Sequence, residues 1–143
     1  MKTRTWYSVA RSQFRDDTAE ISIHDEIGMF GISARNFIAD LKSIGPVQRI
    51  NMSIHSPGGE VLDGIAIYNA LQNHPAQITA TIEGVAASMA SVIAMAADHI
   101  VIPGNAFMMI HNPWGVAVGD AQDMADTAAI LDKMRESAVS AYQ

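Results

Sequence analysis

The chain has 143 residues, 49% of them hydrophobic and 17% charged, with nine basic against fifteen acidic side chains and a net charge of −6. That balance describes one domain with a real core rather than a disordered chain, and the lack of a basic stripe argues against a nucleic-acid partner. No cysteine is present, which excludes disulfides, thiolate metal sites and a cysteine nucleophile; the longest weakly polar run, Gly84 to Ala97, is shorter than the ~18 residues a membrane span needs.

Met1 to Gln13 is polar and basic with no apolar segment, so no secretory leader is expected and a cytoplasmic protein is. Glu20 to His24 alternates polar and apolar, the period of a half-buried strand, and Asp25-Glu26-Ile27-Gly28 closes it with a turn. Ser33 is placed to cap a helix through Phe37, Ile38 and Leu41, which Gly45-Pro46 ends. Arg49 to His55 alternates again, with Ile50, Met52 and Ile54 on one face, and Ser56-Pro57-Gly58-Gly59 breaks it. A second helix is predicted from Glu60, with Leu62, Ile65, Ala66, Asn69 and Ala70 at helical spacing, until His74-Pro75 stops it.

Gln77 to Ile82 is the next strand. Glu83 to Ala87 reads as a lead into a helix from Ser88 to Ala97, apolar on all sides and therefore buried. His99 to Ile102 and Ala106 to Ile110 read as short strands around Pro103-Gly104-Asn105, and Pro113-Trp114-Gly115 opens a loop. Asp120 caps a long last helix whose apolar side carries Met124, Ala128, Leu131, Ala138 and Tyr142. The order β-α-β-α-β-α-β-β-α predicts an α/β fold with a largely parallel sheet. Leu131 to Gln143 shows no helix-ending signal, so a truncated or processed product is expected. Twenty-two alanines and nine methionines have two readings, a helical core or apolar surface facing another subunit.

Three segments can carry chemistry. Ser88 stands where a tight segment becomes a buried helix, so its side chain is held rigidly and the N–H of Met89 lies at the positive helix end. An ordinary N-cap serine explains the same position. The two glycines of Ser56-Pro57-Gly58-Gly59 permit positive φ and let N–H groups face an anion, although a plain turn is the simpler reading of that segment alone. His111 ends a strand, the edge at which α/β sites gather, and its imidazole can take a proton from a serine; a structural histidine is the alternative. His24, His55, His74 and His99 show no metal-ligand spacing, so no metal or other cofactor is expected.

Taken together, Ile54-His55-Ser56-Pro57-Gly58-Gly59, Gly84-Val85-Ala86-Ala87-Ser88-Met89-Ala90 and Met109-Ile110-His111-Asn112-Pro113-Trp114 resemble the Clp protease proteolytic subunit family, and among its members the phage and prophage Clp-like head maturation proteases. The resemblance runs from about Ile21 to the end. It implies a Clp/crotonase-like fold of stacked ββα units with a long C-terminal handle helix, forming one domain over residues 1–143. It implies Ser88 as nucleophile, His111 as general base, and Gly59 and Met89 as oxyanion-hole donors. Gly58, Asn112 and Pro113 would contact substrate, an extended peptide lying between the strand before Glu60 and the strand at Ala106.

It further implies a homo-oligomeric ring, commonly a heptamer or double heptamer, with the helix from Asp120 as the interdigitating handle. The implied activity is an ATP-independent or weakly regulated serine endopeptidase, in the cytoplasm of a bacterial host or phage-infected cell, that processes phage head or scaffold proteins. Met1 to Arg15 does not show the loop with which housekeeping members meet an AAA+ unfoldase, so that partner is not expected. No aspartate matches the family's third triad member, which follows the handle helix; Asp120, Asp123, Asp126 and Asp132 belong to the handle itself. Losing that group can cost on the order of 10⁴ in kcat. A catalytically silent ring-forming or scaffold subunit is therefore the alternative. A crotonase-like acyl-CoA enzyme shares the fold but does not place a Ser–His pair at these positions.

Overall fold

The alternating segments form one six-stranded sheet. In a computed structural model, which describes residues 7–143, its strands are β1 (Tyr7–Arg11), β2 (Thr18–Ile23), β3 (Arg49–Ser56), β4 (Gln77–Ala87), β5 (His99–Val101) and β6 (Phe107–Met109). Between and after them come helices α1 (Ala34–Ser43), α2 (Val61–Gln72), α3 (Met89–Ala94) and α4 (Ala121–Tyr142). The strand order is β1-β2-β3-β4-β5, with β6 also on β4; β1 pairs antiparallel with β2 and every other pair is parallel. The expected α/β class and largely parallel sheet are observed. Of the opening segment read as polar and basic, residues 1–6 lie outside the described residues.

Register explains the layering. Ile23, Ile54 and Ile82 stand in one row and Ile21, Met52 and Ala80 in another, all on the face that the helices cover. Phe37 of α1, Ile67 and Leu71 of α2 and Ile93 of α3 join them in a single apolar cluster. Each fully buried isoleucine contributes about 1.5–3 kcal/mol. The opposite sheet face is open and polar. Asn51 donates to Glu20 there, and His24 Nε2 lies 2.8 Å from Glu83 Oε2 without hydrogen-bond alignment. Ser33 caps α1 by accepting from the Asn36 N–H, and Asp120 caps α4 in a reciprocal capping box with Asp123.

Four expectations are corrected. β1 is an additional strand in a segment expected to be only polar and basic. β4 does not stop at Ile82 but continues to Ala87, with a shift in its register against β3 between Ile82 and Ala86; Gly84 lets the strand pass beneath the His55 ring, since a Cβ there would meet His55 Nδ1 at 2.5 Å. α3 is shorter than Ser88 to Ala97, its last residues continuing as tighter i→i−3 turns through Met95, Ala96 and Ala97. The apolar side of α4 is only partly engaged. Leu131, Ala138 and Tyr142 are half-buried, whereas Met124 and Ala128 are exposed and no residue of the helix is fully buried.

Candidate active site

The long strand β4 leads directly into Ser88, and that geometry decides what the serine does. Its backbone has φ 54° and ψ −126°, making it the one non-glycine residue with positive φ among the described residues. Such a conformation is strained and persists only where its surroundings impose it. Here they do. The Ser88 N–H donates to the Met109 carbonyl, extending the β4–β6 ladder by one bond, and its carbonyl accepts from the Ser91 N–H. The hydroxyl makes no capping bond to α3, so the ordinary N-cap reading does not describe it. It points to His111, whose Nε2 is 2.7 Å from the Ser88 Oγ.

His111 reaches this position because β6 pairs with the end of β4, bringing Met109 beside Ala87 and the following residues across the face of Ser88. For the serine hydroxyl to donate to Nε2, the ring proton must sit on Nδ1. Among the described residues, no carboxylate is hydrogen-bonded to that ring. The pair can transfer a proton from hydroxyl to imidazole in a single step.

The loop Ser56-Pro57-Gly58-Gly59 forms the opposite wall. Ser56, wholly buried, donates through its hydroxyl to the Asp25 carbonyl and accepts from the Gly58 N–H, which locks the turn. Gly58 has φ 89° and abuts the serine: a Cβ on it would lie 2.5 Å from the Ala87 carbonyl oxygen and 2.7 Å from Ser88 Cβ. Ile27 bridges the loop by donating to the Gly58 carbonyl and accepting from the Glu60 N–H. In such a ladder the residue between those bonds turns its own N–H to the other side. Gly59 is that residue. Neither its N–H nor that of Met89 has a hydrogen-bond partner among the described residues. Two free donors thus flank the serine from separate elements.

A cleft of about 380 Å³ joins these groups, lined by Pro57, Gly58, Gly59, Ser88, His111 and Pro113 together with Glu26, Glu60, Met109 and Trp114. Of the substrate contacts expected from sequence, Gly58 and Pro113 line it. Asn112 does not; it lines a second hollow with Pro113, Leu131, Asp132 and Arg135. Glu26 and Glu60 were missed. They come from turns distant in sequence, which the bridge between Ile27 and Gly59 and the Ser56–Asp25 hydrogen bond bring together. Neither carboxylate has a cationic partner among the described residues, so the cleft is acidic. Metal-ligating clusters of three or more His, Cys, Asp or Glu are absent among the described residues.

A family model described as Clp protease matches residues 6–143. The ATP-dependent Clp protease proteolytic subunit of Leuconostoc citreum is 39% identical over 100 residues, an alignment covering 67% of this chain and 50% of the relative. The protein of the same name from Bacteroides fragilis is 36% identical over 99 residues, covering 67% and 47%. That from Deinococcus radiodurans is 36% identical over 105 residues, covering 71% and 51%. The chain spans about half the length of the curated relatives it matches.

Proposed function

From the premise that the chain belongs to the Clp protease family, we propose that it is a serine endopeptidase in which Ser88 is the nucleophile and His111 the general base. The observation that carries this reading is the 2.7 Å approach of His111 Nε2 to the Ser88 Oγ. His111 takes the hydroxyl proton as Oγ attacks a peptide carbonyl, and the carbonyl electrons move onto oxygen. The N–H groups of Gly59 and Met89 stabilise that oxyanion. The imidazolium then passes its proton to the leaving amine, the C–N bond breaks and an acyl ester remains on Ser88. Water, deprotonated by the same imidazole, hydrolyses the ester. No cofactor enters the scheme. Gly58 and Pro113 bound the peptide, which lies extended between the Ser56–Gly59 loop and β6.

The wider reading treats residues 1–143 as one Clp protease-like domain of a cytoplasmic homo-oligomeric ring, with α4 as the handle. One observation supports the ring: the N-terminal half of α4 touches little else. No helix of the described residues is long and apolar enough to cross a membrane. The finer assignment, processing of phage head or scaffold proteins without an unfoldase, rests on the likeness of the three motifs in sequence.

The test is intact mass after incubation with a fluorophosphonate. One adduct on the parent and none on Ser88→Ala supports the assignment; an adduct that survives Ser88→Ala refutes it. A silent ring-forming subunit is the second reading, favoured by the lack of a carboxylate on the His111 ring among the described residues. It predicts no adduct on the parent, with the same oligomeric state for parent and Ser88→Ala.

A further inference from the structure

The α3 face behind the proposed nucleophile holds a hydrogen-bond chain that the mechanism above leaves unused. Ser91 is wholly buried, and its hydroxyl donates to the Ser88 carbonyl, which already accepts from the Ser91 N–H. The hydroxyl of Tyr142, in the last turn of α4, lies 2.6 Å from the Ser91 Oγ. The proton of Ser91 is committed to the carbonyl, so Tyr142 is the donor in that contact. The chain therefore runs from the Tyr142 O–H to the Ser91 O–H to the Ser88 C=O.

That carbonyl and the Met89 N–H are two ends of one planar peptide unit. Hydrogen bonds accepted by the oxygen fix the plane, and they draw electron density from the nitrogen, which makes its N–H a better donor. We propose that Ser91 and Tyr142 are positioning residues that hold and polarise the Ser88–Met89 peptide so that its N–H stabilises the oxyanion. The inference rests on the reading of Ser88 and Met89 given above. It also ties the root of α4 to the reacting centre across 51 residues of sequence.

The test compares a transition-state analogue with a ground-state ligand. A peptidyl boronate forms a tetrahedral adduct bearing an oxygen in the oxyanion position; an uncleaved peptide of the same sequence, bound to the Ser88→Ala background, does not. Tyr142→Phe keeps the ring and removes only the donor. It should weaken boronate binding about tenfold, well short of the 10²–10³ typical of losing an oxyanion donor outright. Peptide affinity in the Ser88→Ala background should stay within about twofold. Ser91→Ala should weaken the boronate at least as much, and the double variant should be no worse than Ser91→Ala, because Tyr142 acts through Ser91. Should Ser91→Ala fail to fold, Tyr142→Phe decides alone, since Tyr142 is only half-buried. The inference is overturned by unchanged boronate affinity in Tyr142→Phe, or by equal loss of boronate and peptide binding. Fluorophosphonate labelling of the parent separates the two failures: if Ser88 labels while Tyr142→Phe has no effect, the hydrogen-bond chain alone is refuted, and if Ser88 never labels the proposed function falls with it.

Discussion

Gly58→Ala is the substitution that tests the packing of the site most directly. Two costs add. The residue sits at φ 89°, where an L side chain is strained by about 1–2 kcal/mol. The added methyl would also lie 2.5 Å from the Ala87 carbonyl oxygen, 2.7 Å from Ser88 Cβ and 2.9 Å from the Met89 nitrogen, contacts that require backbone to move. Overpacking of that kind costs about 1–3 kcal/mol. The sum is about 2–5 kcal/mol, equivalent to a fall in Tm on the order of 10 °C for a chain of this size. Gly45→Ala is the internal control, since Gly45 has φ 69° but nothing within 4 Å of its would-be Cβ, so only the strain applies. Gly104→Ala, with open space and no positive φ, should be neutral or stabilising by up to about 1 kcal/mol. Urea unfolding of the three variants gives the ranking, and fluorophosphonate labelling of Gly58→Ala should fall at least tenfold because Ser88 and the Met89 N–H are the groups displaced. Equal destabilisation by Gly58→Ala and Gly45→Ala would refute the close approach of the loop to the serine.

Two further predictions concern pH. Burial, and then the Asp40 carboxylate to which its hydroxyl donates, push the Tyr7 phenol well above the ordinary tyrosine range. Its contribution is therefore complete below about pH 10, where unfolded tyrosine begins to ionise, and is lost as pH rises further; chemical denaturation between pH 8 and 11 should show a shallower alkaline decline for Tyr7→Phe. Burial holds the His74 imidazole below its usual value, and its Nδ1 accepts from the Ala76 N–H. The folded state thus resists protonation, so stability is full above about pH 6.5 and falls as pH drops below it. His74→Gln, measured over pH 4.5–7.5, should flatten that slope, and an unchanged slope would remove His74 as its source.

Much of this architecture was legible because local and global signals agree. Ser33 and Asp120 announce their helices by chemistry that needs only neighbouring residues, and the alternation in Arg49 to His55 survives because one sheet face is covered and the other open. Ser88 and His111 stand out as candidates because the residues around them recur as motifs, not because any local rule demands them. What failed to show in sequence is what tertiary contact alone decides. β1 is an edge strand whose Ser8 and Ala10 face outward, leaving only Tyr7 and Val9 half-buried, too short a pattern to stand out. Glu83 to Ala87 reads as a lead into a helix until the His55 ring over Gly84 is known. Glu26 and Glu60 meet in one cleft through tertiary contacts between two turns, and Asn112 stays out of the cleft although its neighbours on both sides line it. The bond from Tyr142 to Ser91 joins residues that no periodicity relates.

The eleven-residue span of β4 has a consequence for how the site comes apart. Ser88 inherits the stability of a central strand bonded to β3 on one side and to β5 and β6 on the other. His111 follows a three-residue strand and sits exposed at the start of a segment that makes no regular structure before Ala121. The dyad thus spans two regions that open at different free energies. Amide hydrogens of β4 should exchange with solvent only on global unfolding, and those following Met109 by local opening. In mild denaturant the imidazole then leaves the hydroxyl while the sheet is still intact, and loss of proton transfer precedes any loss of secondary structure.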